Sequence, residues 1–147
     1  MKRTIVYLVI VAALLMSAPT ETWAQAPTTN IVHVTMLKTK WPEKGTASAR
    51  DSLIAIYNAN VVQKNGNILS HREYAHYFTS SSTDYMVVEE YKDMASLEMG
   101  FTITEDLEKK AWPDEAKRKA FMDAMGAYFE TWHSDGIYHV NPKLSKN

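Results

Sequence analysis

The chain contains no cysteine. That excludes disulfides, a cysteine-linked lipid anchor, thiol catalysis and thiolate metal sites, so packing alone must hold the fold. It has no basic excess either, with 16 Lys and Arg against 17 Asp and Glu. Nucleic-acid binding would call for a basic stripe and a membrane surface for a polybasic segment, and neither is present. A glycine-rich phosphate loop, a G-x-S-x-G elbow and an H-E-x-x-H helix are also missing, which argues against nucleotide hydrolysis, serine hydrolysis and metalloproteolysis. Internal repeats, low-complexity tracts and signs of a second domain are absent.

What is present begins at the N-terminus. Lys2 and Arg3 precede an apolar run, Ile5 to Met16 (IVYLVIVAALLM), and small-residue patterns follow at Thr22-Trp23-Ala24 and Ala24-Gln25-Ala26. This is the layout of a secretory signal peptide. A run of about 12 apolar residues is short of the roughly 20 that span a bilayer. Residues 1–24 are therefore expected to be removed, leaving an exported, periplasmic or secreted chain with no stable membrane anchor. Cleavage after Ala24 is favoured over Ala26, where Pro27 adjoins the cut. Loss of Lys2, Arg3 and Glu21 leaves 14 basic and 16 acidic residues. About 123 residues remain, enough for one domain with a real core.

Residues 25–30 read as a flexible leader and 31–145 as a single domain. Ile31 to Lys40 is β-rich and bounded by Trp41-Pro42. Its even positions Val32, Val34 and Met36 predict a dry face against helices, while Ile31, His33, Thr35 and Leu37 form a mixed face that tolerates polar groups. Apolar spacing predicts a helix over about 47–64, stopped at Asn65-Gly66 with Gly66 left-handed. Residues 68–79 and 85–92 read as strands joined by a polar turn, an antiparallel hairpin. A helical period follows over 95–111, interrupted near Gly100 and Thr102. A stronger helix opens at Trp112-Pro113-Asp114-Glu115, with Pro113 in its first turn, and carries an apolar stripe through Tyr128 to Trp132. Ser134-Asp135-Gly136 ends it, and Ile137 to Val140 is a short last strand. The order βαββαβ is that of the ferredoxin-like split unit, an α+β fold with a four-stranded antiparallel sheet and helices on one face.

Helices cover only one face of such a sheet, so the other needs a partner. The element order, the length and the hairpin YMVVEEYKDMASLE resemble the dimeric α/β-barrel superfamily, which includes antibiotic-biosynthesis-monooxygenase-like, EthD-like and stress-responsive barrel proteins. The resemblance covers about residues 31–145 and implies a homodimer with sheets face to face. It also implies a small cavity between sheet and helices in each subunit. It predicts fold better than function.

Strand parity suggests candidate catalytic residues. His33, His76 and Glu89 would share one face, setting an imidazole base beside a carboxylate that orients it. Two histidines and a carboxylate are also the facial set of non-haem iron, although no metal or other cofactor is assigned. The alternative is partly exposed sheet or interface residues, since one slip of register scatters the set. Tyr74, Tyr91, Trp112 and Trp132 are candidate ligand-binding walls, against the alternative that aromatics at helical spacing are core. His133 and Asp135 read as a helix-terminal pair, Tyr138 as an interface residue, and His71 as a solvent-facing residue near a strand start. The expected function is binding of a small apolar or aromatic molecule, and the resemblance adds cofactor-independent oxygenation or proton transfer as reaction types. The competing readings are a non-enzymatic envelope protein and a haem- or metal-binding barrel using His33 or His76.

Overall fold

A computed structural model describes residues 29–78 and 83–144. The expected signal peptide (1–24) and most of the leader lie outside the described residues. The described chain runs β1 (Ile31–Thr39), α1 (Ala47–Asn60), a 3-10 turn (Val62–Lys64), β2 (Ile68–Ala75), β3 (Asp84–Tyr91), α2 (Met94–Ala111), α3 (Glu115–Gly126) and β4 (Phe129–His139). The sheet order is β2-β3-β1-β4 with every neighbouring pair antiparallel. This is the expected α+β, ferredoxin-like arrangement, with its second helical region in two pieces. No helix of the described residues is long and apolar enough to cross a membrane.

Each helix starts where a side-chain oxygen satisfies a free backbone N–H. Thr46 accepts from Ala49 N (3.1 Å), Asp93 from Ser96 N (2.8 Å) and Asp114 from Lys117 N (2.9 Å). Pro113 therefore precedes the cap of α3 rather than filling its first turn. The buried cluster Ile31, Tyr91 and Leu97, with Ile68 packed on it, ties β1, β3 and α2 together.

Four local expectations are corrected. Helix α1 ends at Asn60, and a 3-10 turn leads to Asn65. No described glycine has a positive φ, so Gly66 is not a left-handed stop. The helix closes at Val61, whose N–H donates to Tyr57 O, and buried Asn65 beyond it ties the turn to α2 by donating to Gly100 O (2.9 Å) and Thr104 Oγ1 (3.0 Å). Helix α2 runs unbroken through Gly100 and Thr102. Gly100 is a point of contact, since a Cβ there would stand 2.8 Å from the Tyr91 ring. Helix α3 stops at Gly126, so Phe129 to Trp132 belong to β4, where Thr39 pairs with Phe129 and Leu37 with His133. Glycine propagates a helix poorly, and aromatic and β-branched residues favour a strand when a nine-residue β1 offers a free edge.

The fourth correction concerns the faces of the sheet. Ile31, His33, Thr35 and Leu37 pair across to Tyr91, Glu89, Val87 and Tyr85, and His71 and Glu73 pair with Glu89 and Val87. Members of this mixed set line a cavity together with helix residues such as Ile54, Tyr57, Phe101 and Met125. The mixed face is therefore the helix-covered one, and the even face of Val32, Val34 and Met36 is turned away from the helices.

Candidate functional site

The cavity between sheet and helices holds about 370 Å³. Leu37, Ile54, Val62, Ile68, Val87, Phe101, Met125 and Phe129 supply apolar walls. On one side a polar cluster crosses three adjacent strands, because residues opposite one another in an antiparallel ladder share a face. Glu89 of β3 is opposite His33 of β1 and His71 of β2. His71 Nδ1 lies 3.0 Å from Glu89 Oε1 and its Nε2 lies 2.9 Å from Glu73 Oε1. His33 Nδ1 is 3.9 Å from Glu89 Oε2, an ion-pair separation too long for a hydrogen bond, and His33 Nε2 is 3.2 Å from Asp135 Oδ1. Tyr91 donates its hydroxyl to Glu89 Oε2 (2.8 Å), Asn58 donates to Glu73 Oε1 (2.7 Å), and Tyr85 donates to Glu73 Oε2. Thr35 donates to Asp135 Oδ1 (2.7 Å), whose second oxygen lies 3.1 Å from His133 Nε2.

Burial alone would raise the Glu89 carboxyl, but His33, His71 and Tyr91 outweigh it and bring it down to about 2. Burial likewise works against a charged His71, yet Glu73 and Glu89 hold that imidazole up at about 9. Glu89, opposed by desolvation and helped by Asp135, raises His33 above its ordinary value. Glu73 is lowered because His71, Asn58 and Tyr85 overcome its desolvation. Desolvation and a carboxylate partner each push Tyr57, Tyr85 and Tyr91 upward. At neutral pH the cluster is thus a set of paired charges, with His71 an imidazolium locked between two carboxylates. It suits orienting a ligand, and His33, the looser ring, is the better placed of the two to exchange a proton.

The structure brings together His33, Glu89 and Tyr91 from the sequence-derived candidates, and leaves the others elsewhere. His76 follows β2, one residue past Ala75, and takes the parity of Tyr74, which pairs with Met86 on the open face. It is not among the cavity-lining residues, and its Nε2 is buried without a hydrogen-bond partner. His71, expected at the solvent, takes the place beside Glu89 that was expected for His76. A signal for this exists in the sequence: His71 and Glu73 alternate as a strand face does, and opposite charges favour facing positions in a hairpin. Tyr74 is 44% exposed and Trp132 66% exposed, both away from the cavity. Trp132 moved because its segment is a strand rather than a helix stripe. Trp112 caps α2 and stacks between Tyr57 (6.4 Å) and Phe121 (4.3 Å) in the helical layer, behind the wall rather than in it. Tyr138 is 58% exposed opposite Val32 on the open face, with its ring over Gly136. Among the described residues no three His, Asp or Glu side chains are arranged to hold a metal ion.

No protein-family model matches the chain, and no curated protein matches it. Solved structures do match in shape. A protein from Caulobacter crescentus CB15, provisionally assigned as an antibiotic biosynthesis monooxygenase, is 18% identical with TM-score 0.50, over 78% of this chain and 92% of its own. SnoaB from Streptomyces nogalater, a cofactor-independent oxygenase, is 9% identical with TM-score 0.50, over 80% and 99%. A conserved protein from Methanosarcina mazei Go1 is 16% identical with TM-score 0.50, over 78% and 95%. At these identities the likeness establishes a shared ferredoxin-like fold.

Proposed function

We propose that this chain is exported, pairs with a second copy through the open face of its sheet, and binds a small apolar or aromatic molecule between sheet and helices. One observation carries the ligand reading: a 370 Å³ cavity whose apolar walls converge on a fixed polar cluster, the usual make-up of a small-molecule site. The homodimer is supported by Val32, Val34, Met36, Met86 and Val88, an apolar patch at the centre of the sheet face turned away from the helices. Export is supported by the Lys2-Arg3 and Ile5–Met16 pattern.

Native mass spectrometry of protein purified from the periplasm tests all three parts. The expected result is a dimer of chains beginning at Gln25 that carries added mass. A monomer removes the pairing, and an uncleaved chain removes export. A dimer that takes up no apolar or aromatic probe removes the ligand reading.

A second reading is favoured by His33. Its Nδ1 makes no hydrogen bond to Glu89, so the ring at the cavity wall can take a proton from a bound hydroxyl or acidic C–H once neutral. The likeness of fold to a cofactor-independent oxygenase makes oxygen-dependent oxidation a reaction to test. His71, with both nitrogens on carboxylates, orients rather than abstracts. Oxygen uptake with phenolic compounds, lost in His33→Ala and kept in His133→Ala, supports this reading; uptake unchanged in His33→Ala removes it.

A further inference from the structure

The cavity's polar side has spent its hydrogens. Tyr57 donates to Glu108 Oε1 (2.8 Å), Tyr91 to Glu89, Tyr85 to Glu73 and Thr35 to Asp135. Both nitrogens of His71 face carboxylates, as does Nε2 of His33. A phenolic oxygen that donates once keeps its lone pairs, and an ionised carboxylate only accepts. What this wall offers an incoming molecule is therefore mostly acceptors. The exceptions are the second amide hydrogen of Asn58, the Nδ1 side of His33, and the hydroxyl of Thr104, whose oxygen is taken by Asn65.

Charge points the same way. Four carboxylates (Glu73 and Glu89 in the lining, Glu108 and Asp135 bonded to lining residues) stand against three imidazoles (His33, His71 and His133), so the cluster stays net negative by one charge even with every ring protonated. The nearby cation Arg50 is bound to Asp51 (2.8 Å) and sits 5.3 Å from the Tyr85 ring centroid and 5.5 Å from that of Trp41. A cation thus already rests against the ring of Tyr85, a residue of the cavity lining, from outside that lining.

We infer that the cavity takes a protonated amine carried on an apolar, ring-bearing body. This rests on the ligand reading above and names the polar end of that ligand. An ammonium brings donors to the free lone pairs, making charge-assisted hydrogen bonds about twice as strong as neutral ones. The aromatic faces of Tyr57, Tyr91 and Phe101 add cation–π attraction. A carboxylate or phosphate in the same place meets lone pairs and negative charge, and must shed its water without replacement.

Three probes of one skeleton test this on the intact protein at neutral pH: phenethylamine, phenethyl alcohol and phenylacetate, titrated by calorimetry. The expected order is phenethylamine tightest, phenethyl alcohol about tenfold weaker, and phenylacetate without saturable binding. Glu73→Gln is expected to weaken the amine about tenfold and the alcohol by less, narrowing the gap between them, and the wild-type comparison stands if that variant does not fold. Phenylacetate binding as tightly as phenethylamine, or equal binding of all three, overturns the inference and leaves the ligand reading in place. Failure of all three to bind overturns both.

Discussion

The two faces of the sheet place their charged groups differently. Under the helices His33, His71, Glu73 and Glu89 stand together among apolar walls; on the open side Val32, Val34, Met36, Met86 and Val88 form an apolar centre edged by Lys38, Arg72, Asp84 and Glu90. Burying ionised groups is costly unless each is paired and hydrogen-bonded. The covered face meets that condition by setting every carboxylate against an imidazole or hydroxyl. The open face has the reverse problem, since contiguous apolar surface persists in water only where something covers it. A charged interior thus depends on internal pairing, and an apolar exterior on being covered.

The contrast breaks most sharply at Val34, in the middle of the open face. Val34→Asp places one unpaired charge from each copy in the proposed interface and is expected to weaken pairing by at least about 1,000-fold. Sedimentation that still shows a dimer would sink the pairing. On the covered face, Glu89→Ala leaves His33, His71 and Tyr91 without their shared acceptor and is expected to cost about 3–5 kcal/mol in urea unfolding. A loss under about 1 kcal/mol would mean the cluster contributes little to stability. Gly100→Ala tests packing on that face without touching charge: the new Cβ meets the Tyr91 ring at 2.8 Å, for an expected cost of about 1–3 kcal/mol. A smaller, graded effect is expected from pH. The His71 imidazole, raised from 6.5 to about 9, contributes stability that is complete below pH 6.5 and lost as pH rises through 9. The Glu89 carboxyl, lowered from 4.5 to about 2, contributes stability that is complete above pH 4.5 and lost as pH falls through 2. Stability should therefore be greatest between those limits, and the alkaline decline should shrink in Glu89→Gln. A thermal-melt profile with no alkaline decline would remove the His71 assignment.

Period and spacing in the sequence were enough to place the first three strands, the hairpin and the overall order, and strand parity alone set His33 beside Glu89. Parity did not choose between His71 and His76 on β2, because they lie on opposite faces and register decides which set is covered. The ladder of β2 shifts between Ile68 and Ser70, an irregularity that no periodicity shows. A one-residue choice of this kind exchanges whole faces. The choice of dry face failed for a related reason. Counting apolar residues favours Val32, Val34 and Met36 for the helix layer, whereas the polar groups of the other face are reconciled only by partners on distant strands. The last helix was overextended because Tyr128 and Trp132 fit both a helical stripe and a strand, and only pairing with β1 separates the two.

The site also has a history within each folding event. Its links join residues far apart in sequence, 18 positions for His71 and Glu89 and 100 for Thr35 and Asp135. Contacts between distant parts of a chain form only after the intervening loops have closed. By that rule the β2-β3 hairpin with its His71–Glu89 link closes before β1 and then β4 are added, and the contacts of Asp135 form after the rest. The polar cluster is therefore whole only when all four strands are paired, so a defect at either sheet edge disturbs it.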